Sequence, residues 1–171
     1  MTAAPEGIPD RRRVALPSGR ARASGAVAVL ALRYLFALFF VGGAANKFMH
    51  NCLFSNYLQK VFTARLTELD PASFSYAFLQ NFGVPWYQPI AWVVTWGETV
   101  VAIGLLLGLA TRWSAGLAIW LMVMFGIGGY YDASLIALSA IAALFIIFPT
   151  GHWLGLDRRL HRKQPQAIWF R

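Results

Sequence analysis

The chain has 171 residues, of which 58% are hydrophobic and only 13% charged, with a mean hydropathy of +0.53. Water-soluble domains run near 45–50% apolar and about 25% charged, so this composition points to lipid as the solvent for most of the surface and excludes disordered and collagen-like classes. The one cysteine, Cys52, excludes an internal disulfide, a paired-thiol redox motif and a cysteine-rich metal centre, and the net charge of +8 has to be judged by where it lies.

Residues 1–25 form a polar N-terminal tail in which Arg11, Arg12, Arg13, Arg20 and Arg22 outweigh Glu6 and Asp10, a net +3. A membrane span needs about 20 mostly apolar residues to cross roughly 30 Å of hydrocarbon. The first such stretch runs from about Ala26 to Ala45. A cleaved signal peptide is the lesser reading of it, with Arg33 closing a long basic lead and Gly43-Ala44-Ala45 as the cleavage site.

Residues 50–86 make a long connection. Leu53, Phe54, Tyr57, Leu58, Val61, Phe62 and Leu66 recur there at helical spacing. The pattern predicts an amphipathic helix that lies along the membrane surface or caps the spans. Asp70-Pro71, a capping residue followed by proline, predicts a second short helix that carries Phe74, Phe78 and Phe82 and stops near Gly83.

The second span runs from about Ile90 to Ala110, the third from about Trp113 to Tyr130 and the fourth from about Ala133 to Phe148. Thr111-Arg112 and Tyr130-Tyr131-Asp132 leave only a few residues for each reversal, so spans two to four are adjacent antiparallel helices. Gly126, Gly128 and Gly129 loosen or bend the end of the third span, or let it pack closely. Residues 150–171 form a second basic tail, five basic residues against Asp157, a net +4.

The fold class that follows is all-α: a four-helix transmembrane bundle over residues 26–149, with an extracytoplasmic amphipathic helical lid between helices one and two. Both basic tails and Arg112 share one side of it, whereas Lys60 and Arg65 in the long connection are cancelled by Glu68 and Asp70. The positive-inside bias places both termini in the cytoplasm. The tails then serve topology and attraction to anionic lipid, with no nucleic acid implied. Trp86, Tyr87, Trp92 and Trp96 mark the outer interface, and Trp113 and Trp153 the inner one, as anchors rather than cofactor stackers.

Two ionisable residues fall inside the spans, Arg33 and Glu98, and each costs about 2.5–3.5 kcal/mol at mid-membrane if left without a partner. The stripe through Arg33 is Ala37, Phe40, Ala44 and Lys47, and the stripe through Glu98 is Ala91, Thr95, Ala102 and Leu105. Both are rich in small residues that let helix axes approach. An Arg33–Glu98 pair is therefore expected to join helices one and two, as a register-setting salt bridge or as a site that handles a proton or a polar ligand. Lys47 is expected to snorkel to the head groups, or else to join His50, Cys52 and Asp132 in a site beneath the lid. Gly104 and Gly108, with Gly97, give helix two a smooth face for internal packing or for a partner. His50, His152 and His161 lie outside the spans, so this chain alone cannot ligate a bis-histidine haem between helices, and it has no Gly-rich phosphate loop. No covalently bound or metal-ligated cofactor is expected, and redox chemistry here has to come from a bound quinone or from another subunit.

Arg33-Tyr34-Leu35 with Gly42, Gly43 and Lys47, then Gly97-Glu98 and the exit run Leu105-Leu106-Leu107-Gly108-Leu109-Ala110-Thr111-Arg112, resemble the DoxX family of small four-helix bacterial membrane proteins over roughly residues 30–150. The resemblance implies a protein of the bacterial inner membrane that works beside redox enzymes. Family members include the membrane part of a thiosulfate:quinone oxidoreductase and a membrane partner of thiol- and superoxide-handling proteins. Arg33, Lys47 and Glu98 occupy family-like polar positions. The Arg-rich N-terminal extension and the aromatic outer loop depart from the pattern and argue against direct transfer of thiosulfate. The expected function is a DoxX-like membrane subunit of a quinone-linked redox system, with Glu98 and Arg33 as candidate catalytic residues, Lys47 and Thr95 as candidate substrate-binding residues and a quinone as candidate cofactor. The alternatives are a non-catalytic accessory subunit packed on a larger respiratory or photosynthetic complex, and a small proton-coupled transporter using Glu98. Expected partners are the lipid bilayer and other membrane subunits. Whether the chain is itself an enzyme stays open.

Overall fold

The computed structural model describes residues 19–148 and 150–163. Their order is α1 (Gly19–Met49), α2 (Tyr57–Leu66), α3 (Phe74–Phe78) continuing into a π-helical turn (Leu79–Gly83), α4 (Tyr87–Leu107), α5 (Thr111–Ile127), α6 (Ala133–Ile147), α7 (Thr150–Trp153) and α8 (Asp157–Lys163). No strand occurs among the described residues. Ser24–Met49 and α4 are long and apolar enough to cross a membrane, whereas α5 and α6 are shorter apolar helices of 17 and 15 residues.

α1 packs along α4, α4 along α5 and α5 along α6, and α6 returns to α1. The core they share is built from Phe36, Ala37 and Phe40 of α1, Val101, Ala102 and Leu105 of α4, Ala115, Ala118 and Leu121 of α5, and Ala142 and Phe145 of α6. Alanines at the contact positions let the helix axes approach, and Phe36 fills the remaining space edge-on to Phe145 at 5.5 Å. Leu35, Leu38, Phe39, Val100, Ile103 and Ile136 stay exposed. Apolar surface on both sides of the helices suits lipid rather than water.

The α1–α4 connection and the α5–α6 turn share one end of the structure, called here the loop end; the α4–α5 turn and α7–α8 share the other, the terminus end. At the terminus end α4 stops at Gly108, in left-handed conformation at φ 61°, and Ala110 is also left-handed at φ 46°. At the loop end Gly128 caps α5 and Gly129 turns left-handed at φ 85°. These glycines end the helix rather than bend it.

Several boundaries differ from the sequence reading. The helical backbone of α1 begins at Gly19, seven residues before the expected start, so Arg20 and Arg22 belong to it; the remaining tail positions, 1–18 and 164–171, lie outside the described residues. α2 begins at Tyr57, and Leu53 and Phe54 belong to the preceding turn, where Leu53 O accepts from Gln88 Nε2 and from Trp92 Nε1. The cap of α3 is Ser73, whose hydroxyl accepts from Tyr76 N at 3.2 Å, while Asp70 closes a tighter turn onto Ala72 N at 2.9 Å. Residues 150–163, expected as tail, fold back as α7 and α8. Gly104 packs inward, since a Cβ there would stand 2.0 Å from Ser114 Oγ, and Gly97 faces Leu121, which makes these glycines internal packing positions.

Candidate functional site

The charged candidate residues are positioned by two different parts of the fold. Lys47 lies in the last turn of α1, and Glu98 midway along α4. The Lys47 Nζ donates to both carboxylate oxygens of Glu98, at 2.8 Å to Oε1 and 2.7 Å to Oε2. Gly43, one turn before Lys47, makes this possible: a Cβ there would sit 3.0 Å from Glu98 Oε2. Glu98 is 4% exposed, and the Lys47 ammonium lies 6.0 Å from the centre of the Phe125 ring of α5. Such a pair is worth little net against apolar side chains of similar size, but removing one partner leaves a buried charge and costs about 3–5 kcal/mol.

Cys52 belongs to the turn that follows Lys47 at the end of α1. Its backbone N–H donates to Lys47 O at 2.9 Å and its side chain is buried. Burial pushes the thiol above its usual range, with the Lys47 charge acting in the opposite sense. One turn from Glu98 toward the loop end is Thr95, fully buried, whose hydroxyl has no hydrogen-bond partner among the described residues. A buried hydroxyl without a partner loses the water it would have had and costs about 1–3 kcal/mol. It is the one polar side-chain atom of α4 in that condition among the described residues.

Arg33 is elsewhere, and the expected Arg33–Glu98 pair does not form. Arg33 and Lys47 are 14 residues apart on one helix, about 21 Å along its axis. The Arg33 guanidinium is buried at the terminus end, donating from Nη1 to Thr150 O at 2.8 Å and from Nη2 to Leu154 O at 2.7 Å, beside Gly108 and 4.8 Å from its neighbour Tyr34's ring centre. Its charge is met by the carbonyls of Thr150, at the start of α7, and of Leu154, just past its end. Lys47, expected to reach the head groups, takes the place on Glu98 instead.

The same end holds a cluster that sequence reasoning missed. Asp157, 4% exposed, accepts from Ala110 N at 2.6 Å, from Thr111 N at 3.1 Å and from Thr111 Oγ1 at 2.9 Å, so it caps α5 from 46 residues away in the chain. Leu156 N and Asp157 N donate to Leu107 O and Gly108 O, which closes the end of α4 as well. Gly151 and Gly155 allow the approach: a Cβ on Gly151 would stand 2.2 Å from Asp157 Oδ2, and one on Gly155 2.8 Å from Gly108 Cα. A lone acid between glycines and arginines was the available signal.

His50 and Asp132 do not join Lys47. His50 bonds Asn46 O at 2.8 Å and stacks on Tyr57 at 4.7 Å. Asp132 is an exposed cap of α6, accepting from Leu135 N at 3.0 Å and from Ser134 Oγ at 2.6 Å, bonds that hold its carboxyl below the usual range. The structure thus brings together Lys47, Glu98 and Cys52, with Thr95 one turn away, and holds Arg33 at the other end, on Thr150 O and Leu154 O.

The family model that matches the chain is DoxX, over residues 28–130. The match spans Arg33, Lys47, Thr95 and Glu98 and stops before Thr150 and Asp157. The chain matches no curated protein and no solved structure.

Proposed function

The chain belongs to the DoxX family, and from that premise we propose that it is an integral membrane subunit of a quinone-linked redox system, with the Lys47–Glu98 pair as its polar centre. In this reading α1, α4, α5 and α6 cross the bilayer as a four-helix bundle, α2 and α3 form a lid on the outer side, and both chain ends are cytoplasmic. The charge placement supports that orientation, because the terminus end carries Arg112 and the basic residues of α8.

The observation that carries the proposal is a buried pair with unused hydrogen-bonding capacity beside it. Lys47 has three N–H donors, of which two are spent on Glu98. The third and the Thr95 hydroxyl are both suited to a carbonyl oxygen. Glu98 is suited to take one of the two protons released when a quinol is oxidised to the quinone, the other passing to water and both electrons to a partner redox protein. Purification from native membranes in mild detergent, followed by mass spectrometry, tests this. A quinone and a redox enzyme in fixed stoichiometry are expected, with the quinone reduced or lost in Glu98→Gln. A protein that comes out without either overturns the reading.

One observation favours the accessory-subunit alternative: both Glu98 oxygens are already taken by Lys47. That reading makes the pair a register device and leaves the activity of the surrounding complex unchanged in Glu98→Gln.

A further inference from the structure

No charged residue and no histidine falls between Asp70 and Glu98. The first part of that stretch is α3 with its π-helical turn, and it has three distinct sides. Ser75, Leu79 and Gly83 are buried against the rest of the chain. Gln80 and Asn81 are exposed on a polar side, where Asn81 Nδ2 donates to Ala77 O at 2.9 Å. The third side is aromatic: Phe74, Phe78, Phe82 and Trp86 form a ladder with successive ring centres 6.3, 5.2 and 6.4 Å apart. Phe74, Phe82 and Trp86 are exposed, and Phe78 is half-buried.

The backbone holds the ladder in line. Residues four apart drift by about 40° per step around an α-helix, which would carry the last ring well away from the first. The π-helical turn, closed by Val84 N on Leu79 O at 2.7 Å, takes up one extra residue and counters that drift. The ladder then meets α4 at Trp86. Heptad spacing from Trp86 through Val93 and Val100 to Leu107 stays on one side of that helix, and all four residues are exposed. One apolar face therefore runs from Phe74 over the loop end and along the length of α4. Four rings in a row open to water make the kind of apolar patch that soluble surfaces avoid, whereas aromatic rings beside amide side chains suit the head-group layer of a bilayer. α2 differs in character: it carries Lys60 and Arg65, and no residue of it is buried.

We propose that α3 and its π-helical turn lie in the outer head-group layer, with the aromatic ladder against lipid and Gln80 and Asn81 toward water. The loop end is fastened to the bilayer through this segment, not through residues 53–66, whose periodicity suggested that role. The inference rests on the reading that α4 spans the bilayer, and adds to it the part of the lid that lipid holds.

The test places nitroxide labels, one at a time, on the full chain in phosphatidylcholine liposomes through Phe74→Cys, Phe82→Cys, Gln80→Cys, Lys60→Cys and Val100→Cys. Each labelled chain is required to keep the helical circular dichroism of the unaltered one, which also supplies the background from Cys52. Relaxation of each label by oxygen, which concentrates in lipid, is compared with relaxation by a water-soluble nickel chelate. The labels at Phe74 and Phe82 are expected to follow the one at Val100, with oxygen the stronger agent, and those at Gln80 and Lys60 to respond more to nickel. Labels at Phe74 and Phe82 that respond to nickel as strongly as the one at Lys60 overturn the inference and leave the ladder to a partner protein. Dipolar broadening between labels at Phe82 on separate chains overturns it in favour of a second copy. A label at Val100 relaxed chiefly by nickel overturns the membrane-spanning reading itself.

Discussion

Asp157→Ala removes three hydrogen bonds at one stroke and leaves two backbone N–H groups, those of Ala110 and Thr111, with no acceptor at the start of α5. Thr111 is 2% exposed, so water cannot replace the carboxylate there without the turn opening. Each orphaned buried group costs about 1–3 kcal/mol, and the loss is offset in part because a buried charge is also removed. The net expectation is a destabilisation of about 3 kcal/mol, which for a chain of this size lowers the unfolding midpoint by about 6–12 °C. Asp157→Asn keeps one acceptor oxygen but aims an amide N–H₂ at the other donor, so about half of that loss is expected. Thr111→Val removes only the hydroxyl donor. A thermal scan in detergent, read by size-exclusion of the surviving monodisperse protein, gives all three values, and the double variant Asp157→Ala, Thr111→Val adds the coupling between the two residues. A change below about 0.5 kcal/mol for Asp157→Ala would refute the assignment of this residue as the cap of α5.

Gly43→Ala places a methyl group 3.0 Å from Glu98 Oε2 and is expected to force the carboxylate off Lys47, lowering stability by about 1–3 kcal/mol; an unchanged thermal midpoint counts against close contact there. Cys52, buried with its thiol pushed up, should resist a water-soluble maleimide at neutral pH. Arg65→Ala frees α2 from Gly129 O and the Tyr130 ring, and should speed that labelling if α2 covers the thiol. For Asp132 the folded carboxyl titrates below its ordinary value, so its stabilising effect is present above the unfolded value of about 3.9 and disappears as pH falls through the folded one. Asp132→Ala should therefore be less stable than the unaltered chain at pH 6, and the two should converge under strong acid, as followed by helical circular dichroism.

The helix order, the short reversals and the buried position of Glu98 were legible because apolar runs, tight turns and a charge within an apolar run each have one dominant physical meaning. The choice of partner for Glu98 was not. It depended on how far α1 is displaced along its axis against α4: Arg33 falls level with the end of α4 at Gly108, and Lys47, about 21 Å further along α1, falls level with Glu98. The signal in favour of Lys47 was Gly43, the small residue one turn before it. The clasp of α7 and α8 was hidden for another reason: a basic, short C-terminal stretch reads as a solvated tail, and its burial depends on one carboxylate meeting a turn 46 residues away.

The central claim is that Lys47 and Glu98 bind a ligand and do more than set helix register. The double variant Lys47→Met, Glu98→Leu separates these roles, because replacing both charges of a buried pair with apolar groups of similar size is neutral or stabilising for the fold. Quinone bound per chain, measured by extraction and mass spectrometry on protein that unfolds at or above the midpoint of the unaltered chain, is the decisive quantity. The account predicts a stable protein that carries no quinone. A stable double variant that retains the full complement of quinone would contradict it.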